Sequence, residues 1–202
     1  MDAKTQELLQ KASEVFLEHG FTGTTTDMIQ KACGFSKATI YARFSTKESL
    51  FKAVIEHKCS EFTQRIQCAS IHETCIENAL NDIGHAHLDQ MLTPETMGLY
   101  RVVIADAPRF PDIAHHFFQS GPMIVRQVVT RIMENAAHRG EIDIVKIGAE
   151  RAAQVFLSLI RSEAQMECLT HPDMRPSEIQ KDQWISIAIE TFLRAYKPPS
   201  AH

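Results

Sequence analysis

Two short runs on either side of a glycine, between Thr24 and Phe44, constrain this chain more than any other stretch. Thr25 or Thr26 can cap a helix, with Asp27 favourable in its first turn, because the opening amides of a helix have no partner inside it. Met28, Ile29, Ala32 and Cys33 give that helix one apolar face. Gly34 supplies the left-handed backbone that a tight turn needs. Ser36 then caps a second helix, Lys37 to about Phe44. Ile40 and Phe44 are four residues apart and share its inward face. Lys37, Ala38, Thr39, Tyr41, Ala42 and Arg43 are left to face outward or to flank the turn. Eight residues span roughly 12 Å, the width of the DNA major groove. The expectation is a helix-turn-helix, with residues 37–44 as its recognition helix.

The flanks extend the helical pattern. Leu8, Leu9, Ala12, Val15 and Phe16 form a stripe on a helix from about Thr5 to His19, ended by Gly20. Ser45 and Glu48 have the spacing of a capping box, Ser45 at the N-cap. A long helix follows, with Leu50, Phe51, Val54, Ile55, Cys59, Phe62 and Ile66 toward Cys68. Further helices are expected over about Glu73–Met91, from Pro94 after the cap Thr93, through Ile113–Phe118, over Met123–His138, Val145–Cys168 and Ser177–Tyr196. Pro198 and Pro199 end the fold. Strand signals are almost absent. The fold class is therefore all-α: a three-helix helix-turn-helix domain over residues 1–46 and a larger helical domain over residues 47–202.

Of the 202 residues 44% are hydrophobic and 23% charged, which supports a sizeable core and argues against disorder. The net charge of −4 is unevenly spread. Between Met28 and Lys52, Lys31, Lys37, Arg43, Lys47 and Lys52 face a single acid, Glu48, while the remainder is net acidic. Phosphate neutralisation is local, so a basic patch on an acidic body suits DNA; a solvated charged face is the competing reading. Lys37 suits a phosphate or guanine, and Ala38 and Thr39 allow close approach to a thymine methyl. Tyr41 reaches a phosphate through its hydroxyl, and Arg43 reaches a phosphate or a base edge. Lys47, Thr25 and Thr26 sit at helix N-termini, whose amides attract phosphate. The alternative is an ordinary packed hairpin.

No secretory h-region opens the chain, and no run of about 18 apolar residues occurs, so a cytoplasmic protein without a membrane partner is expected. Five cysteines without a C-x-x-C pair argue against a disulfide framework or zinc ribbon. His85 and His87 diverge on a helix; with the pair His115/His116 they do not make the ligand set a metal needs. Cys68 and Cys75 would need an exposed, low-pKa thiol to sense oxidants. No nucleophile–base spacing, phosphate-cradling loop or H-E-x-x-H occurs. Neither an enzyme nor a cofactor is expected. Met and Phe residues enrich the body. Tyr100, Phe117, Met133 and Phe156, on its middle helices, are the candidate ligand pocket, with plain core as the other reading. The last two helices mix small residues (Ala149, Ala152, Ala153, Ala188) with large ones (Phe156, Leu159, Trp184, Phe192), which fits a four-helix dimer interface or a closed monomer core.

The runs Phe16-Leu17-Glu18-His19-Gly20-Phe21-Thr22-Gly23-Thr24-Thr25 and Gly34-Phe35-Ser36-Lys37-Ala38-Thr39-Ile40-Tyr41-Ala42-Arg43-Phe44-Ser45-Thr46-Lys47-Glu48-Ser49-Leu50 resemble the DNA-binding signature of TetR-type transcriptional regulators. Arg101 to Pro111 and Gly121-Pro122 resemble the C-terminal domain of their AcrR/AefR-like branch. The resemblance implies an all-helical homodimer, paired through the last two helices, whose N-terminal helices bind a near-palindromic operator in double-stranded DNA. It implies DNA contacts from Thr25, Thr26, Ser36, Lys37, Ala38, Thr39, Tyr41, Arg43 and Lys47, and release by a small hydrophobic effector. Gln30, Phe35 and Ala38 depart from the usual alanine, small aliphatic and glycine. The chain thus reads as a ligand-released repressor; the alternative is a helical small-molecule-binding protein that does not act on DNA.

Overall fold

The computed structural model describes residues 1–69 and 75–198, the side chains of residues 61, 62 and 64–69 excepted. Among the described residues there are ten helices and no strand: α1 (Ala3–Gly23), α2 (Thr26–Cys33), α3 (Lys37–Arg43), α4 (Lys47–Ala69), α5 (Ile76–Met91), α6 (Pro94–Asp106), α7 (Pro111–Ser120), α8 (Pro122–His138), α9 (Ala149–Thr170) and α10 (Glu178–Ala195). The all-α expectation holds. The side chains of Phe62, Ile66 and Cys68, the expected helix start at Glu73, and Pro199 lie outside the described residues. Among the described residues no helix is long and apolar enough to cross a membrane, and no group of three or more His, Cys, Asp or Glu could hold a metal ion.

The chain forms two compact units, Met1–Glu61 with Gly98–Pro122, and Phe62–Met97 with Met123–His202. The first is built around one apolar cluster in which Phe16, Phe21, Phe51, Ile29, Ile40 and Ile55 are almost wholly buried. Phe16 and Phe21 pack on Phe51 at ring-centroid distances of 4.5 and 5.2 Å, and Phe110 meets Phe21 edge-on at 4.7 Å. Burying one such ring contributes about 1.5–3 kcal/mol. Gly20 interrupts α1 with φ 71° and ψ 170°, as the sequence led us to expect; a single further turn then carries the chain to Thr24. The cap of α4 falls one residue later than expected. Thr46, not Ser45, is the capping residue: its hydroxyl accepts from the Ser49 amide at 3.0 Å, and the Ser49 hydroxyl accepts from the Thr46 amide at 3.1 Å. Ser49 thus takes the reciprocal place expected of Glu48.

In the second unit α5, α9 and α10 pack together. Gly84 lets α5 and α10 close up, since a β-carbon there would stand 3.0 Å from Ile185 Cγ2. Phe156 and Phe192 meet edge-on at 5.6 Å. Lys181 is buried, with its ammonium paired to Asp89 and Glu178. The expected helix start at Val145 is corrected to Ala149. Residues 141–148 are not helical, because Gly148 takes φ 77° and ψ 160° before the helix opens. Ile142 and Ile144 turn into the core while Val145 is 92% exposed, and the Asp143 amide donates to the Tyr196 carbonyl at 2.8 Å. Cys33, Cys59 and Cys168 are buried and Cys75 partly so. Burial pushes the Cys59 thiol up to about 12.

Candidate nucleic-acid interface

Local chemistry sets the α2–α3 pair. Thr25 caps α2 by accepting from the Met28 amide. Gly34 ends it in the left-handed region, φ 70° and ψ 6°, with its amide donating to the Gln30 carbonyl at 2.9 Å. Ser36 caps α3, its hydroxyl accepting from the Thr39 amide at 3.1 Å. Of the two caps the sequence offers for α2 it is Thr25 that forms, and Gly34 and Ser36 act as read.

Packing then sets which face of α3 is offered. Ile40 is 2% exposed and is the buried residue of α3. Phe44, just past it, is half-buried against the same cluster, as are Phe35 and Met28. The aromatic ring at Phe35 is thus used in packing rather than presented. Around Ile40, the residues Ser36, Lys37, Ala38, Tyr41, Ala42 and Arg43 are exposed, and Thr39 is half-buried.

The exposed polar groups are held by one another. The Ser36 and Thr39 hydroxyls lie 2.9 Å apart, and those of Thr26 and Tyr41 3.1 Å apart. Lys37 of α3 is paired with Asp27 of α2, and this hydrogen bond, with the nearby negative charge, raises its pKa. Arg43 donates from Nε to the Thr5 hydroxyl at 3.2 Å and lies 3.8 Å from Asp2. An incoming phosphate must displace Asp27 from Lys37, or join it. Thr25, Thr26, Ser36, Lys37, Ala38, Thr39, Tyr41 and Arg43 thus gather on α2, α3 and their turns.

Lys47 differs from the rest. Its ammonium donates to the carbonyls of Phe21 and Thr24, both at 2.8 Å, and lies 4.6 Å over the Phe21 ring. Two of its three donors point inward, to the turn after Gly20. Asp106, at the end of α6, was not singled out from the sequence. Its carboxylate accepts from the Phe21 amide at 3.1 Å, the Thr22 amide at 3.3 Å and the Thr22 hydroxyl at 2.6 Å. A partner 85 residues away leaves no local signal.

The four candidate pocket residues divide between the units. Tyr100 and Phe117 meet edge-on at 4.9 Å in the first. Met133 and Phe156 are both fully buried in the second. The second unit also has an open cleft of about 1060 Å³ between the start of α5 and the end of α10, lined in part by Asn78, Asn81, Glu141, Ser186, Glu190 and Arg194.

Residues 8–54 match the bacterial regulatory proteins of the tetR family, and residues 78–198 match the AefR-like transcriptional repressor C-terminal domain. The chain is 28% identical over 139 residues to the HTH-type transcriptional regulator UidR of Escherichia coli K12, covering 67% of each chain. The flavonoid-responsive regulator FrrA superposes on 98% of both chains with a TM-score of 0.82 at 29% identity. A TetR-family regulator from Mesorhizobium loti superposes on 96% of both chains with a TM-score of 0.87 at 23% identity, a likeness of fold. The matched segments, the capped α2–α3 pair and the hydroxyl-rich basic face of α3 agree, and the chain belongs to the TetR family: it is a DNA-binding transcriptional regulator with an AefR-like C-terminal domain, not an enzyme.

Proposed function

We propose that this regulator is a cytoplasmic, homodimeric repressor released from a near-palindromic operator by a small hydrophobic effector. Residues 1–46 read DNA, and residues 47–202 pair the protomers and bind the effector. The observation that carries the reading is the orientation of α3. With Ile40 buried, Lys37, Ala38, Thr39, Tyr41 and Arg43 are offered together on a rod of major-groove size. Thr25, Thr26 and Ser36 flank it at helix N-termini, where amides and hydroxyls suit phosphate. Lys47 keeps a third donor for the backbone.

Pairing through α9 and α10 accounts for apolar side chains left outside the second unit's own core. Ala152, Ala153, Phe156, Ala188 and Phe192 are used within that core, whereas Leu159, Met166 and Ile187 remain exposed. Two reading heads then address half-sites about 34–36 Å apart, or somewhat more. The name of FrrA, a flavonoid-responsive regulator, favours an apolar effector. Within the second unit, Met133 and Phe156 are the residues proposed to meet it. A coupling of about 1–3 kcal/mol suffices to change operator affinity 5- to 150-fold.

Selection from random-sequence duplexes by the purified protein tests the reading. A two-fold symmetric motif is expected. Fluorescence anisotropy on that motif should show Tyr41→Phe weakening binding to all sequences alike, and Thr39→Ala changing base preference. Equal losses from both on every sequence would sink the division of roles, and enrichment of no motif would leave the small-molecule-binding alternative.

A further inference from the structure

The turn between Gly20 and Thr24 is gripped at both ends by opposite charges. The ψ of 170° at Gly20 swings the following peptide out of the α1 ladder, so the Phe21 and Thr22 amides open a new single turn. That turn is closed by the Thr24 amide donating to the Gly20 carbonyl at 3.2 Å, with the buried Thr24 hydroxyl donating to the same carbonyl at 2.7 Å. At its opening end the Asp106 carboxylate accepts from both amides and from the Thr22 hydroxyl. At its closing end the Lys47 ammonium donates to the Phe21 and Thr24 carbonyls. A carboxylate at the amide end and an ammonium at the carbonyl end is the favourable arrangement for a helical dipole, here on one turn. Charge-assisted bonds are the stronger kind. The turn leads directly into Thr25, the cap of α2.

From this geometry, and resting on the DNA-binding reading, we infer that Asp106 is a positioning residue for operator binding: it sets the direction in which the chain leaves α1 and enters the helix-turn-helix. Asp106 is bonded to Phe21 and Thr22, and it acts through them. Gly98, two turns earlier on α6, seats that helix on α1, since a β-carbon there would lie 3.1 Å from Leu17 Cδ2. Operator binding demands that both heads hold a fixed direction, whereas sequence-blind binding depends on phosphate neutralisation and tolerates a loose head.

The test uses the full-length protein and the duplex it enriches from a random library, with a scrambled duplex at the same salt. Asp106→Ala is expected to weaken the selected duplex at least tenfold and the scrambled one less than twofold, with faster hydrogen exchange at the Phe21 and Thr22 amides. Thr22→Val, which removes one of three bonds, is expected to give a smaller loss of the same kind. Wild-type affinity in a folded Asp106→Ala protein, or equal losses on both duplexes, would overturn the inference. If Asp106→Ala does not fold, Asp106→Asn decides, because its oxygen still accepts but without charge: an intermediate, operator-specific loss supports the inference, and wild-type binding by both Asp106→Asn and Thr22→Val overturns it. Should the wild type enrich no duplex, the DNA-binding reading fails first, before any variant is compared, and the inference falls with it.

Discussion

Ser36 does two jobs with one hydroxyl: it accepts from the Thr39 amide and lies 2.9 Å from the Thr39 hydroxyl. Ser36→Ala should lower stability by about 1 kcal/mol, the usual cost of losing a cap, read as a lower melting temperature by circular dichroism. It should also free Thr39 and broaden base preference on an operator series. His87 offers a second residue-scale prediction. Burial, and then the charge of Arg161, push its pKa down from 6.5 to about 3. The unfolded chain regains the ordinary value, so between these limits only the unfolded state holds the proton. Stability from this group is therefore whole above about pH 6.5 and is lost as pH falls toward 3, at up to about 1.4 kcal/mol per pH unit. Urea midpoints at pH 7.5 and 5.5 should fall less in His87→Leu than in the wild type; parallel shifts would place the acid sensitivity elsewhere.

At the scale of elements, the crossing of α5 and α10 depends on a missing side chain. Gly84→Ala would press a methyl into Ile185, and overpacking of this sort costs about 1–3 kcal/mol. A chemical melt that loses stability without losing helical signal would confirm it, and an unchanged midpoint would show that Ile185 yields. This scale also divides what was legible in the sequence from what was not. Caps and left-handed glycines act within four residues, so Thr25, Gly34 and Ser36 could be read directly. The same local rule misled at Ser45, where two neighbouring hydroxyl residues could each cap and the structure uses Thr46 with Ser49. The expected start at Val145 also failed, because the start is decided by the φ of 77° at Gly148, three residues further on. The exposed residues of α3 were legible because burial of Ile40 follows from spacing. Lys47 read as a phosphate contact at a helix N-terminus, and its bonds to carbonyls 23 and 26 residues back went unseen. Asp106 had no signal at all within its own helix.

For the whole molecule, the prediction concerns assembly. Leu159 and Met166 are seven residues apart on α9, and both are exposed, as is Ile187 on α10. Leu159→Arg with Met166→Arg should leave the fold intact, since neither side chain is buried in the protomer, and should shift the protein to monomer mass in sedimentation velocity. Operator affinity should drop at least a hundredfold, because one half-site no longer recruits the other. A dimer that survives the pair of charges would move the interface off this face. The design of α3 has a further consequence. Of its seven residues, only Ile40 is buried. Mutation can therefore sample nearly every position of the reading surface without touching the core, so that new operator preferences arise at little cost to folding. Descendants of this chain are free to diverge in what they read long before they diverge in shape, and Ile40 is the letter of α3 that such a lineage must keep.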